Sequence, residues 1–162
     1  MKKWKRYSSV NSQIDFVKRS VGETEFNLEK DRLRVRFGRE PNDSDVSWGV
    51  LNHLVIKAKG LQLREIYYQM ALFLNADGKN CIKVRREGER CELEKYKKDG
   101  IKKVKILSGS NSCKECQQQS EKIFTIEEAL ELKPIPCKSC SYILFPGRPP
   151  FCRCLYQAYL DG

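Results

Sequence analysis

Apolar residues at positions 33, 35 and 37 alternate with arginines, which is the two-residue period of a half-buried β-strand. We therefore predict a strand over residues 31–37. One face of this strand would be apolar and the other would be basic. The basic face would carry Arg32, Arg34 and Arg36.

Two consecutive helices are predicted next. Val46, Val50 and Leu54 recur at helical spacing, which predicts a helix over residues 45–58. A wide apolar stripe from Leu63 to Leu74 predicts a second helix, which ends at a turn and forms a hairpin with the first.

The remaining elements are shorter or more polar. Residues 80–98 have few apolar positions among many charges, which favours a solvent-facing helix, and residues 101–107 have a strand pattern. Residues 125–128 match a capping box. We therefore expect a short helix that begins there and is ended by Pro134. Residues 142–145 are interpreted as a last strand.

The composition is that of a globular chain. In 162 residues, 40% are hydrophobic and 32% are charged, which excludes a low-hydrophobicity disordered protein. The basic N-terminus is not followed by the apolar run of a signal peptide, and no stretch is apolar enough to cross a bilayer. We therefore expect a soluble cytoplasmic protein with no membrane partner.

The net charge of +10 favours an anionic partner such as nucleic acid. Two segments hold the surplus: residues 1–40 have 11 basic and 6 acidic side chains, and residues 81–110 have 10 and 5. The candidate phosphate contacts lie in these segments. They are Arg32, Arg34, Arg36, Arg85, Arg86, Lys102, Lys103 and Lys105.

Six of the eight cysteines form three close pairs in the C-terminal third. Two C-x2-C pairs separated by 20 residues are typical of a tetrahedral zinc site, because each pair offers two thiolates on one tight turn. Disulfides are the less favoured alternative, since nothing indicates an oxidising compartment. The predicted cofactor is therefore zinc, and its predicted ligands are Cys113, Cys116, Cys137 and Cys140.

The spacing leaves the ligand set open. Cys152 and Cys154 form a C-x-C pair that can replace Cys137 and Cys140 as the second half of the site. Six thiolates can also hold two zinc ions through bridging sulfurs. One zinc bound by the two C-x2-C pairs is the preferred interpretation.

Other chemistry has less support. Cys81 and Cys91 are three helical turns apart, too far to share an ion, so each is expected to be a small core residue. His53, the only histidine, lies within an apolar helix pattern and is expected to pack there. The chain has no phosphate-binding loop, no H-E-x-x-H and no H-x-E before its cysteines. We therefore expect no enzymatic activity.

The cysteine-rich tail resembles a known family. Cys113-x-x-Cys116, the segment 124–129, a proline-containing stretch and Cys152-Arg153-Cys154 are similar to the C-terminal segment of phage Mu F-like head morphogenesis proteins. The resemblance covers about a third of the chain. That family usually has a histidine three residues before the final C-R-C, where this chain has Pro149. The resemblance implies a phage-derived structural role.

Two domains and two functions follow as hypotheses. A polar stretch at residues 108–112 separates a basic, helix-rich domain (1–107) from a zinc-binding module (108–162) that resembles a ribbon or treble clef. The fold class is α+β. The preferred function is an accessory nucleic-acid-binding protein, and the alternative is a structural or protein-interaction module.

Overall fold

The computed structural model describes residues 9–141 and 152–161. The described chain is helix-rich with one three-stranded antiparallel sheet, in agreement with the predicted α+β class. In chain order the elements are α1 (Val10–Val21), α2 (Glu23–Phe37), α3 (Asp43–Lys57), α4 (Gly60–Ala76), α5 (Ile82–Lys98), β1 (Lys103–Ser108), α6 (Lys114–Gln117), β2 (Ile123–Thr125), α7 (Ile126–Leu132) and β3 (Cys154–Tyr159).

The strand predicted over residues 31–37 is wrong, because these residues form the second half of α2. The helix buries Phe26 and Leu33, which are seven residues apart and therefore lie on one helical face. Val35, expected on the buried face of a strand, is 85% exposed. Gly38 ends the helix in the left-handed conformation that glycine favours.

The three helices predicted between residues 45 and 98 are confirmed as α3, α4 and α5. Asn42 caps α3 and forms a capping box with Asp45. The capping box at Thr125 is also confirmed: its hydroxyl accepts from the backbone of Glu128, and α7 ends just before Pro134. The helix α1 is not among the elements that the sequence pattern predicts.

Two clusters of buried residues form the core. One lies among α1, α2, α3 and α4, and includes Val17, Phe26 and Val46. The other joins Leu93 of α5 to Val104 of the sheet and to buried cysteines of the tail. This second cluster therefore contains residues from both sides of the border predicted at residue 108. The division into two domains stays a prediction.

The sheet brings distant parts of the chain together. Its order is β2-β1-β3, and β1 confirms the strand predicted over residues 101–107. In the register of β1 with β3, Ser108 lies opposite Cys154, so the last cysteine pair is adjacent to the end of β1. The strand predicted over residues 142–145 lies outside the described residues.

Within residues 9–141 and 152–161, none of the helices is long and apolar enough to cross a membrane.

Candidate metal centre and basic residues

The first cysteine pair follows β1 through a short turn. Gly109 donates its backbone N–H to the carbonyl of Arg153, which holds the turn against the start of β3. Cys113 then caps the four-residue helix α6, and its Sγ accepts a hydrogen bond from the backbone N–H of Cys116 at 3.4 Å. Such N–H···S bonds stabilise a thiolate, so this turn is suited to metal binding.

The second pair lies on a turn after α7. The backbone N–H of Cys140 donates to the carbonyl of Cys137 at 3.1 Å, so both side chains project from one tight loop. Arg86 of α5 donates its Nε to the carbonyl of Pro136 at 2.9 Å. The helix α5 thus holds the backbone immediately before this cysteine pair.

The third pair is positioned by β3. Cys154 begins the strand, and its backbone N–H donates to Cys152 Sγ at 3.4 Å. The Cys154 thiol donates to the backbone carbonyl of Cys116 at 3.6 Å. Sheet register therefore places this pair against the first one, which the sequence spacing did not decide.

The six tail cysteines form two overlapping groups, each of which can hold a metal ion. The Sγ atoms of the predicted set, Cys113, Cys116, Cys137 and Cys140, all lie within 4.8 Å of one another. The two alternates, Cys152 and Cys154, form a second group with Cys116 within the same limit. The predicted ligands and the alternates are therefore brought to one place.

The sulfur separations suit a tetrahedral thiolate site. With Zn–S bonds of about 2.3 Å, the edge of such a tetrahedron is about 3.8 Å. Cys137 Sγ lies 3.8 Å from Cys113 Sγ and 3.2 Å from Cys116 Sγ. All eight cysteines are free thiols, so the tail is not held by disulfides.

The thiols of the first group ionise differently. Burial opposes ionisation of Cys113, but hydrogen bonds from Cys116, Ser141 and Cys137 outweigh it and lower the pKa of Cys113 to about 7. Burial raises the pKa of Cys137 to about 12. The interaction with the Cys116 thiol is the main cause that raises the pKa of Cys140 to about 12. A metal ion must therefore displace protons from Cys137 and Cys140 when it binds.

Cys81 and Cys91 belong to neither group. Both are buried, and burial raises the pKa of Cys81 to about 11, as expected for a thiol that packs as a small apolar residue. His53 lies on α3 with its Nδ1 3.1 Å from a carboxylate oxygen of the buried Glu29, and no described cysteine shares a metal group with it.

The three arginines expected on one face of a strand are divided between faces of α2. Arg32 pairs with Glu29 at 2.9 Å, whereas Arg34 pairs with Glu40 at 2.6 Å. Arg36 is exposed. Side chains two residues apart differ by about 200° around a helix, so Arg34 points away from Arg32 and Arg36. The prediction that all three arginines share one face is therefore wrong.

Four of the five other predicted phosphate contacts also have partners in the protein. Arg85 is buried and its Nη2 lies 3.0 Å from Glu89, while Arg86 bonds the Pro136 carbonyl. Lys103 pairs with Asp161 and Lys105 pairs with Glu121, each at 2.9 Å. Lys102 is exposed and makes no ion pair within the described part of the chain.

A different set of exposed basic residues lies where α5 ends and in the turn that follows it. Lys95 and Lys98 are exposed, lie three residues apart on one helical face, and form no ion pair with a described residue. Lys102 follows them across a glycine turn. We call these three residues the lysine turn. The dense lysines of residues 95–103 are the sequence signal for it, although only Lys102 and Lys103 of this region are among the predicted phosphate contacts.

Comparisons with protein-family models, with curated proteins and with solved structures give no significant match to this chain.

Proposed function

We propose that this is a non-enzymatic binding protein whose C-terminal part is held by a structural zinc ion. The observation that supports it best is the first thiol group, in which Cys113, Cys116, Cys137 and Cys140 lie within 4.8 Å of one another. Four thiolates satisfy the tetrahedral preference of Zn²⁺ and leave no open position for a substrate. Such a site stabilises a fold and does not activate water.

Metal analysis of the purified full chain tests the zinc site. We expect at least one equivalent of zinc per chain, and we expect Cys113→Ser to lose it. Cys91→Ala is the matched control, because Cys91 is a buried cysteine outside both thiol groups. A wild-type chain without metal, with every thiol titratable in the folded state, would reject the zinc site.

For the binding activity we propose nucleic acid as the partner, contacted through the lysine turn. Lys95, Lys98 and Lys102 are exposed cations free of ion pairs among the described residues, so binding phosphate would not require breaking an internal pair. The net charge of +10 adds a favourable long-range potential. Contacts of this type recognise the backbone without reading sequence.

Fluorescence anisotropy with a labelled DNA duplex at several salt concentrations tests this partner. If about four phosphates are contacted, the logarithm of the association constant should fall with the logarithm of salt concentration at a slope of about 3 or more. Replacing Lys95, Lys98 and Lys102 together with Glu should abolish retention at low salt. The control triple is Arg19, Lys57 and Lys83 to Glu, which changes the net charge equally at exposed sites on α1, α3 and the start of α5.

Equal loss in the two triple variants would show that only overall charge matters, and would reject the lysine turn. A flat salt response, or no measurable binding at low salt, would reject nucleic acid altogether.

A second candidate function is a structural or protein-interaction module, related to phage head morphogenesis as the tail resemblance implies. It is favoured by an exposed apolar pair on α2, Leu28 at 58% and Val35 at 85% exposure, which are seven residues apart and share a helical face. Replacing both with Ser should abolish partner capture while leaving DNA affinity unchanged. If nucleic acid is the partner, the variant with the lysine turn changed to Glu should lose DNA affinity and keep the capture of protein partners.

A further inference from the structure

The second thiol group, Cys116 with Cys152 and Cys154, shares one cysteine with the first group. Cys116 belongs to both groups, and its Sγ lies 3.7 Å from Cys152 Sγ. This separation is close to the edge of a zinc–thiolate tetrahedron, about 3.8 Å. Cys152 and Cys154 are therefore at bonding geometry for a metal ion that also touches Cys116.

A fourth thiol is close to this second group. Cys140 lies near enough to interact with the thiols of both Cys116 and Cys152. Cys116 and Cys140 are thus the two thiols that interact with members of both groups. This is the distribution that two metal ions sharing bridging sulfurs require, since each ion then has four thiolate ligands.

We propose that the tail binds a second divalent metal ion through Cys116, Cys152 and Cys154, with Cys140 as its fourth ligand, so that Cys116 and Cys140 are both shared with the first ion. This inference rests on the structural zinc site proposed above and extends it to a binuclear centre.

Charge balance is consistent with two ions. One divalent ion with four thiolates has a net charge of about −2, and adding a second divalent ion with two further thiolates leaves that charge unchanged. Two protons leave Cys152 and Cys154 when the second ion binds. Each cysteine pair also encloses one exposed basic residue; Glu115 cancels the charge of the first, and the other two offset the remaining negative charge. These basic residues are, in chain order, Lys114, Lys138 and Arg153.

Titration of the reduced full chain with ¹¹³Cd²⁺, followed by native mass spectrometry and ¹¹³Cd NMR, tests the proposal. We expect two equivalents of cadmium and two resonances in the thiolate region. Scalar coupling between the two cadmium nuclei is expected through the shared sulfurs of Cys116 and Cys140. Zinc titration should give the same stoichiometry of two.

Variants assign each ion to its ligands. Cys154→Ser should retain the first ion and lose the second, whereas Cys116→Ser should weaken both because it removes a shared sulfur. Cys91→Ala should bind two ions like the wild type. The wild-type spectrum decides the question even if a variant fails to fold, since the coupling requires no substitution.

The outcomes separate this inference from the proposed zinc site. One equivalent that survives Cys154→Ser overturns the second ion and leaves the structural zinc intact. No bound metal overturns both. Two equivalents without coupling overturn the sharing of sulfurs between the two ions.

Discussion

Arg86 on α5 donates its Nε to the carbonyl oxygen of Pro136 at 2.9 Å. This bond fixes the backbone one residue before Cys137, which belongs to the first thiol group. Arg86 was expected to contact phosphate, yet its side chain links the helical part of the chain to the candidate metal centre. The helix α5 therefore contributes to the geometry of a site to which it supplies no ligand.

Arg86→Ala should destabilise the metal-loaded protein, because it leaves the buried Pro136 carbonyl without this donor. A lost hydrogen bond from a charged donor costs about 1.5–3 kcal/mol in the free energy of unfolding. Urea unfolding and the rate of metal loss to a chelator measure the effect. Arg90→Ala is the control, since Arg90 pairs with Glu87 on the same helix at a partly exposed position and should cost about 0.5 kcal/mol or less. Equal effects of the two variants would contradict a special role for Arg86.

Metal removal should loosen only part of the molecule. The core cluster that contains the buried tail cysteines also contains Ile82, Leu93 and Val104, whereas the cluster of α1, α2 and α3 contains no cysteine. We expect a chelator, or Cys113→Ser, to speed amide hydrogen exchange in β1, β3 and α7 while α1 to α3 stay protected. Exchange measured by mass spectrometry checks this. A uniform increase along the chain would show that both clusters unfold as one unit.

Two glycines within helices should respond oppositely to alanine. A Cβ on Gly49 of α3 would lie 2.6 Å from Glu29 Oε1 and 3.1 Å from a methyl of Leu33, both buried residues of α2. Gly49→Ala should therefore destabilise by about 1–3 kcal/mol through overpacking. A Cβ on Gly88 of α5 would meet nothing closer than 3.7 Å, so Gly88→Ala should gain about 0.5–1 kcal/mol of helix propensity. Thermal unfolding of both variants measures the two signs, and destabilisation by both would contradict the prediction.

The carboxyl of Glu40 should titrate far below its ordinary range. A hydrogen bond from Arg34, and then one from Lys30, lowers the pKa of Glu40 from 4.5 to about 2. Because the pKa is lower in the folded state, these interactions stabilise the protein fully above about pH 4.5, and their contribution is lost as the pH falls towards 2. Arg34→Gln should raise the pKa of Glu40 towards 4.5 in a carboxyl ¹³C NMR titration, and Lys57→Gln should leave it unchanged. An unshifted titration in Arg34→Gln would assign the effect to another group.

Local sequence signals predicted most of the helices but gave the wrong structure for residues 31–37. The alternation of arginine with apolar residues there is a real period of two, yet it extends over only seven positions. Phe26 and Leu33 share a helical face over a longer span, and their burial against α3 stabilises a helix in which Val35 points to solvent. Packing between helices outweighed a short strand pattern because strand propensity depends on burial and on partners.

The sequence by itself determined that the tail offers closely paired thiols, since a C-x2-C spacing sets both sulfurs on one turn wherever that turn lies. It also determined the capping box of Thr125 and Glu128, whose hydrogen bonds join residues three apart. Only the tertiary structure decided which pairs meet, because the register of β1 with β3 places Cys154 opposite Ser108 and so brings Cys152 within 3.7 Å of Cys116. Only the tertiary structure decided, too, that Arg86 bonds a backbone carbonyl, because its partner lies 50 residues away along the chain. Contacts of that separation depend on how whole elements pack, which no local spacing encodes.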